Sequence, residues 1–151
     1  MTSPVLRRAA ETDLDAIVDL LADDPLGRTR ERPGDPAYAA AFAAIDADPN
    51  QLLAVADLDG AVVGTLQLTF IPGLSHAGAT RAQLEAVRVR PDRRGDGLGR
   101  ELVQWAIEQA RQRGAAIVQL TSNASRERAH RFYERLGFEH SHVGMKLDLR
   151  G

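Results

Sequence analysis

The stretch Arg93-Arg94-Gly95-Asp96-Gly97-Leu98-Gly99-Arg100 constrains the fold more than any other part of this chain. It sets three glycines at alternate positions between a β-type run and a strongly helical one. Glycine allows close backbone approach to a ligand and dihedrals that a side chain forbids. A loop of this kind between strand and helix aims unpaired N–H groups, and the positive end of the helix dipole, at an anion. Five arginines fall between Arg88 and Arg100, against Asp92 and Asp96 alone. The pattern points to a phosphate-rich ligand, with a glycine-rich surface turn as the plain alternative.

Two other glycine-loop chemistries fail on spacing. A P-loop ends in Gly-Lys-Ser/Thr, whereas Gly99 is followed by Arg100 and Glu101. A dinucleotide fingerprint sits near the start of a βαβ fold, and this loop lies about two-thirds of the way along the chain.

The length of 151 residues suits one domain, residues 1–151, with a substantial core. A net charge of −2 argues against a dedicated nucleic-acid binder. The absence of cysteine excludes disulfides, Cys-ligated metal and a Cys nucleophile. No signal-peptide pattern and no run of about 18 apolar residues is present, so a cytoplasmic protein with no membrane partner is expected.

Hydrophobic periodicity and turn residues predict the order β-α-α-β-β-β-α-β-α-β-β. The first strand is 5–9, followed by a helix over 12–22 capped by Thr12 and another over 36–47. Strands 52–57 and 61–70 form a hairpin through Asp59-Gly60. A strand over 82–90 leads into the glycine loop and a helix over 98–113, which Gly114 stops. Strand 116–121 reads as buried, helix 126–136 follows, and strands 138–142 and 144–149 close the chain. The result is an α+β fold, a mixed sheet flanked by helices, with the loop at the C-terminal end of its strand.

The loop and the run from Ala129 to Phe138 together resemble the GCN5-related N-acetyltransferase (GNAT) family. The family's Arg/Gln-x-x-Gly-x-Gly/Ala motif is matched by Arg94, Gly97 and Gly99. Its Ala-x-x-Phe-Tyr-x-x-x-Gly-Phe run is matched by Ala129, Phe132, Tyr133, Gly137 and Phe138. The resemblance implies an acyl-CoA N-acyltransferase fold: a mostly antiparallel sheet, splayed at the coenzyme site, with about four helices. It implies acetyl-coenzyme A (acetyl-CoA) as donor. The pyrophosphate would rest on the amides of Arg94, Gly95, Asp96, Gly97, Leu98, Gly99 and Arg100, and the pantetheine arm along Val87, Arg88 and Val89.

The family's motif tyrosine, here Tyr133, stands beside the thioester sulfur and would protonate the leaving thiolate; its other reading is core packing behind Phe132. A phenol is protonated at neutral pH and can donate. Glu85 is the candidate base, acting directly or through water, with a loop-satisfying carboxylate as the alternative. Regular alternation places Glu85 with Val87 and Val89 on one apolar face. Where relatives carry an asparagine three residues before the motif alanine, this chain has Arg126. Asn123 either contacts the pantetheine arm from one turn earlier or caps the helix at 126–136.

Four histidines (His76, His130, His140 and His142) show no ligand spacing beyond the pair 140 and 142, and no metal site is predicted. A more specific resemblance is to aminoalkylphosphonate N-acetyltransferases. It rests on Leu68-Thr69-Phe70, His76 nine residues before Glu85, Leu120-Thr121-Ser122-Asn123, the 129–133 run, and Ser141 with His142. It implies a small-molecule amine acceptor, with a divalent metal in some members, and homodimers are common in the family. Arg28, Arg30 and Arg32 either attract an acidic acceptor or belong to a solvated loop. The alternatives are a protein or peptide N-acetyltransferase and a coenzyme A-binding module without catalysis.

Overall fold

A computed structural model describes residues 2–150 of the chain. Five strands form one sheet in sequence order: β1 (Val5–Arg8), β2 (Gln51–Leu58), β3 (Ala61–Ile71), β4 (Arg81–Val89) and β5 (Ile117–Leu120). The pairs β1–β2, β2–β3 and β3–β4 are antiparallel, and β4–β5 is parallel. The predicted β2–β3 hairpin is present. Asp59 and Gly60 both hold positive φ, 51° and 89°, the two-residue turn whose twist matches that of its strands.

Helices α1 (Leu14–Ala22), the single turn α2 (Gly27–Arg30) and α3 (Ala37–Ala47) precede the hairpin. Helix α5 (Leu98–Gln112) links β4 to β5, and α6 (Glu127–Arg135) follows β5. Between β3 and β4 lies a one-turn segment, α4 (Ser75–Gly78), in which His76 and Ala77 are left-handed, at φ 54° and 58°. The expected helix at 12–22 begins instead with a 3-10 turn, Glu11–Asp13. Asp13 rather than Thr12 secures that start: its carboxylate accepts the Ala10 amide at 2.7 Å and two guanidinium N–H groups of Arg7.

Each face of the sheet has its own core. On one, Leu66, Leu68 and Leu84 meet Leu98, Leu102, Val103 and Ala106 of α5. These α5 positions recur at helical spacing and give the helix its apolar stripe. On the other face, Val55 packs with Ile17 of α1 and Phe42 of α3. At Gly64 the close approach of α5 leaves no room for a side chain: a Cβ would lie 2.8 Å from Leu102 Cδ1.

Two sequence expectations fail at the C-terminal side. Strand β5 is a half-buried edge strand rather than a buried one, with Ile117 53% exposed. The final strand pair does not form, since residues 138–150 lie outside any helix or ladder and 139–150 are exposed. The alternation of Val143, Met145, Leu147 and Leu149 is a strand pattern, but a strand needs a neighbour to bond to. Five strands therefore replace the expected seven.

Candidate functional site

Strand β4 is longer than its neighbour β5, and this mismatch builds the site. Register with β5 covers only Arg81–Leu84, against Ile117–Leu120. From Glu85 to Val89, β4 is held by β3 alone, so its other edge opens away from the sheet. An open edge presents backbone N–H and C=O groups to whatever lies along it.

A bulge then changes which way this segment faces. Gln67 pairs with Glu85 and Thr65 with Arg88, so three steps on β4 oppose two on β3. Ala86 takes up the extra residue at φ 52°. Alternation is thereby reset. Val87 and Val89 pack on the α5 core with Leu84, whereas Glu85 lies on the opposite face. The expectation that Glu85 shares a face with Val87 and Val89 is corrected, because it assumed an unbroken strand.

Glu85 is exposed and its neighbours are polar. Gln83 Nε2 donates to Glu85 Oε1 at 2.7 Å, and Gln119 Nε2 donates to Gln83 Oε1 at 3.0 Å. Further along the same face, Gln67 Nε2 and Thr69 Oγ1 both donate to Gln51 Oε1 at 2.9 Å. A polar band thus crosses the sheet on Glu85's side. The sequence analysis missed it, although Thr65, Gln67 and Thr69 at every second position carried its signal.

At its end β4 runs through the 3-10 turn Pro91–Arg93 into the glycine loop. Gly95 and Gly97 hold φ of 86° and 91°, a region L side chains rarely enter, and a Cβ at either would meet only open space. Gly97 is the N-cap of α5, and the helix closes with Glu101 N to Gly97 O at 3.1 Å. Asp96 Oδ1 accepts the Leu98 amide at 3.3 Å, while the amides of Gly97, Gly99 and Arg100 have no partner among the described residues. At Gly99 a Cβ would lie 3.5 Å from Phe132 Cζ and 3.7 Å from Val89 Cγ2, so β4, α5 and α6 converge there.

Most of the loop's arginines are engaged. Arg90 pairs with Asp92, Arg93 with Asp96, and Arg94 donates to the carbonyls of Val89 and Asp23. Arg100 instead lines a shallow cleft of about 280 Å³ with Gln104, Ile107, Arg111, Arg135 and Leu136.

Tyr133 projects from α6 among Phe132 and Phe138, which it meets edge-on at 5.1 and 5.7 Å. Burial raises its pKa, and the charges of Arg88 and Arg126 offset part of that rise. Those two arginines share Asp24, a carboxylate buried at the end of α1. Arg126 Nη2 donates to Asp24 Oδ1 at 2.9 Å. Arg88 Nε stands 3.1 Å from Asp24 Oδ2, an ion pair whose N–H is not aligned as a hydrogen bond. This cluster, with Arg30 close enough to depress the Arg88 pKa, was not foreseen. The only signal was the departure from the family pattern at Arg126.

Asn123 does not cap α6. Its Oδ1 accepts the Ser125 amide at 3.0 Å and the Ser125 hydroxyl at 2.6 Å, shaping the turn before the helix. The N-cap position is Arg126, without a side-chain cap. His130 Nε2 contacts the Asn123 carbonyl at 2.9 Å, and His142 Nδ1 contacts Ser141 Oγ at 2.6 Å. Among the described residues, no three His, Cys, Asp or Glu side chains gather as metal ligands.

Residues 14–138 match the acetyltransferase (GNAT) family. An aminoalkylphosphonate N-acetyltransferase of Salmonella typhimurium is 35% identical over 137 residues, covering 91% of this chain and 86% of that protein. A glucosamine 6-phosphate N-acetyltransferase of Trypanosoma brucei brucei is 37% identical over 90 residues, covering 60% of this chain and 59% of that one. A solved structure from Bacillus halodurans C-125, described as a transcriptional regulator, has a TM-score of 0.94 and 46% identity, covering 97% of this chain and 99% of that one. The family match spans the open β4 edge, the glycine loop and α6, and with it the chain belongs to the GNAT family and is an N-acetyltransferase.

Proposed function

We propose that this enzyme transfers the acetyl group of acetyl-CoA to the primary amine of a small molecule that also carries an anionic group. The observation that supports this most is the unpaired β4 edge running directly into the free amides that open α5. The edge suits the amide-bearing arm of the donor, and the loop suits its diphosphate. Val87, Arg88 and Val89 supply the edge; Arg94, Gly95, Asp96, Gly97, Leu98, Gly99 and Arg100 supply the loop. Arg100, Arg111 and Arg135 in the adjoining cleft favour further phosphate. Acetyl-CoA supplies the activated thioester.

The remaining chemistry falls to this chain. A backbone N–H on the open edge polarises the acetyl carbonyl. Glu85, on the face opposite the valines, takes the proton of the incoming amine directly or through water. As the C–S bond breaks, Tyr133 gives its phenolic proton to the sulfur. A phenol is protonated at neutral pH, as a proton donor requires, and burial shifts its pKa further upward. Asn123, in the turn before α6, contacts the pantetheine arm.

The charges of Arg30, Arg88 and Arg126 favour an anionic acceptor, with Asp24 the carboxylate set between the last two. The names of the two curated relatives, an aminoalkylphosphonate and a sugar-phosphate acetyltransferase, point the same way. Arg28 and Arg32 are exposed and belong to the solvated part of that loop. The reading treats the chain as one domain in the cytoplasm. No helix among the described residues is long and apolar enough to cross a membrane. A DNA-binding role has less support, since the net charge is −2 and four of the five arginines at 88–100 are already engaged.

The test is a panel of aminophosphonates, amino sugar phosphates, neutral amines, amino acids and peptides, scored by coenzyme A thiol release with and without a divalent cation. Release with the anionic small amines supports the proposal. Release with peptides alone supports a protein acetyltransferase, and coenzyme binding without any release supports a non-catalytic module.

A further inference from the structure

We propose that Gln83, itself held by Gln119, is a positioning residue that fixes the Glu85 carboxylate for proton removal from the acceptor amine; the inference rests on the reading of Glu85 as the base. Glu85 is the first residue of β4 past the β5 ladder, which ends at the pair of Leu84 with Leu120. Its side chain is exposed. A glutamate so placed has several torsions free, and ordering them costs side-chain entropy. A general base must nevertheless be held within reach of the proton it takes.

Strand geometry supplies the holding contact. Gln83 and Glu85 lie two positions apart, ahead of the bulge at Ala86, and share a face. Gln119 is the register partner of Gln83 on β5 and stands on that face beside it. Gln83 Nε2 donates to Glu85 Oε1 at 2.7 Å, the short range of bonds to an ionised acceptor. Gln67 faces Glu85 in the β3 register, but its amide is committed to Gln51 Oε1 at 2.9 Å. Among the described residues Gln83 is therefore the one side chain that donates to Glu85, and it leaves Oε2 for the amine or its water.

The carboxylate sets the direction of this relay. An ionised carboxylate only accepts, so Gln83 turns its amide nitrogen toward Glu85 and its carbonyl toward β5. Gln119 Nε2 donates to that carbonyl at 3.0 Å. The bond holds Gln83 against the flip that would set its carbonyl against the carboxylate. Gln119 thus acts on Glu85 without touching it. Both glutamines are half-buried, so their bond meets less competition from water than Glu85 itself does.

The test follows thiol release from acetyl-CoA by the full chain, using the fastest acceptor among aminophosphonates, amino sugar phosphates, neutral amines, amino acids and peptides. Gln83→Met and Gln119→Met keep side-chain bulk and remove the donors. Each folded variant is expected to lose about tenfold in kcat with KM held within about twofold, as for a misplaced catalytic group. Gln119→Lys keeps a donor toward Gln83 and is expected to retain roughly threefold more kcat than Gln119→Met. In a Glu85→Gln background, Gln83→Met is expected to change kcat by less than about twofold, since the two side chains act as a unit. Native kcat in Gln83→Met beside a slowed Glu85→Gln overturns the relay and leaves the base standing. Equal kcat in Gln119→Met and Gln119→Lys, or a full further loss from Gln83→Met in the Glu85→Gln background, also overturns it. Native kcat in Glu85→Gln overturns the base and the relay together.

Discussion

Asp24 and Arg126 lie 102 positions apart in sequence, yet Arg126 Nη2 donates to Asp24 Oδ1 at 2.9 Å. The contact ties the end of α1 to the start of α6, and Arg88 on β4 joins through the other carboxylate oxygen. Three separate segments around Tyr133 are therefore fixed by one buried acid. The amides of Leu26 and Gly27 complete its surroundings at 2.8 and 3.2 Å.

Asp24→Asn should cost about 3 kcal/mol, as for breaking a buried pair by removing one partner. The loss should depend on pH. Burial opposes ionisation of Asp24, but the two amides and the charges of Arg88 and Arg126 outweigh it and hold the carboxyl below its usual range. The folded chain then binds that proton less readily than the unfolded one. Its stabilisation is full above the unfolded carboxylate pKa of about 3.9 and fades as pH falls through the lower folded value. Denaturant melts of both proteins should differ most near neutrality and converge in acid; a constant gap contradicts the assignment.

Tyr133→Phe should lower kcat about 100-fold, the usual scale for a general acid. Among the described residues the phenolic oxygen has no hydrogen-bond partner, so the melting temperature and coenzyme affinity should hold. Steady-state turnover beside a coenzyme titration checks this; unchanged kcat assigns Tyr133 to packing with Phe132 and Phe138.

Glu85 is exposed and its contacts are polar, so Glu85→Gln should change stability by less than about 0.5 kcal/mol. Its effect should instead fall on the limb of the pH–rate profile that rises as the base loses its proton. A profile unchanged in shape removes Glu85 from proton transfer.

Gly64→Val places carbon where α5 crosses β3, 2.8 Å from Leu102 Cδ1 and 3.3 Å from the Arg88 carbonyl. Overpacking of this kind costs about 1–3 kcal/mol. Because Arg88 lies on the same stretch of β4, thermal melts and coenzyme affinity should decline together. A variant of native stability would mean that α5 can shift without loss.

Local features were legible before the fold was known. Asp59-Gly60, the glycine loop and the apolar stripe of α5 each follow from chemistry within a few residues. The face of Glu85 was not, because the bulge at Ala86 exists only in register with β3. Asp24, Arg88 and Arg126 could not be grouped from sequence, since their proximity depends on three elements packing together. The strands expected over 138–142 and 144–149 do not form, because alternation says which face is apolar and nothing about which edge receives it.

The central claim is that the loop after β4 holds the diphosphate of acetyl-CoA on its amides. Calorimetric titration of acetyl-CoA into the native protein and Gly97→Val tests it most directly. Gly97 sits at φ 91° with open space where a Cβ would go, so valine strains the backbone of the loop whose amides would hold the diphosphate. The account predicts saturable binding to the native protein and at least a tenfold weaker affinity for a folded Gly97→Val variant. No heat from the native protein, or equal affinity in the two, would contradict it.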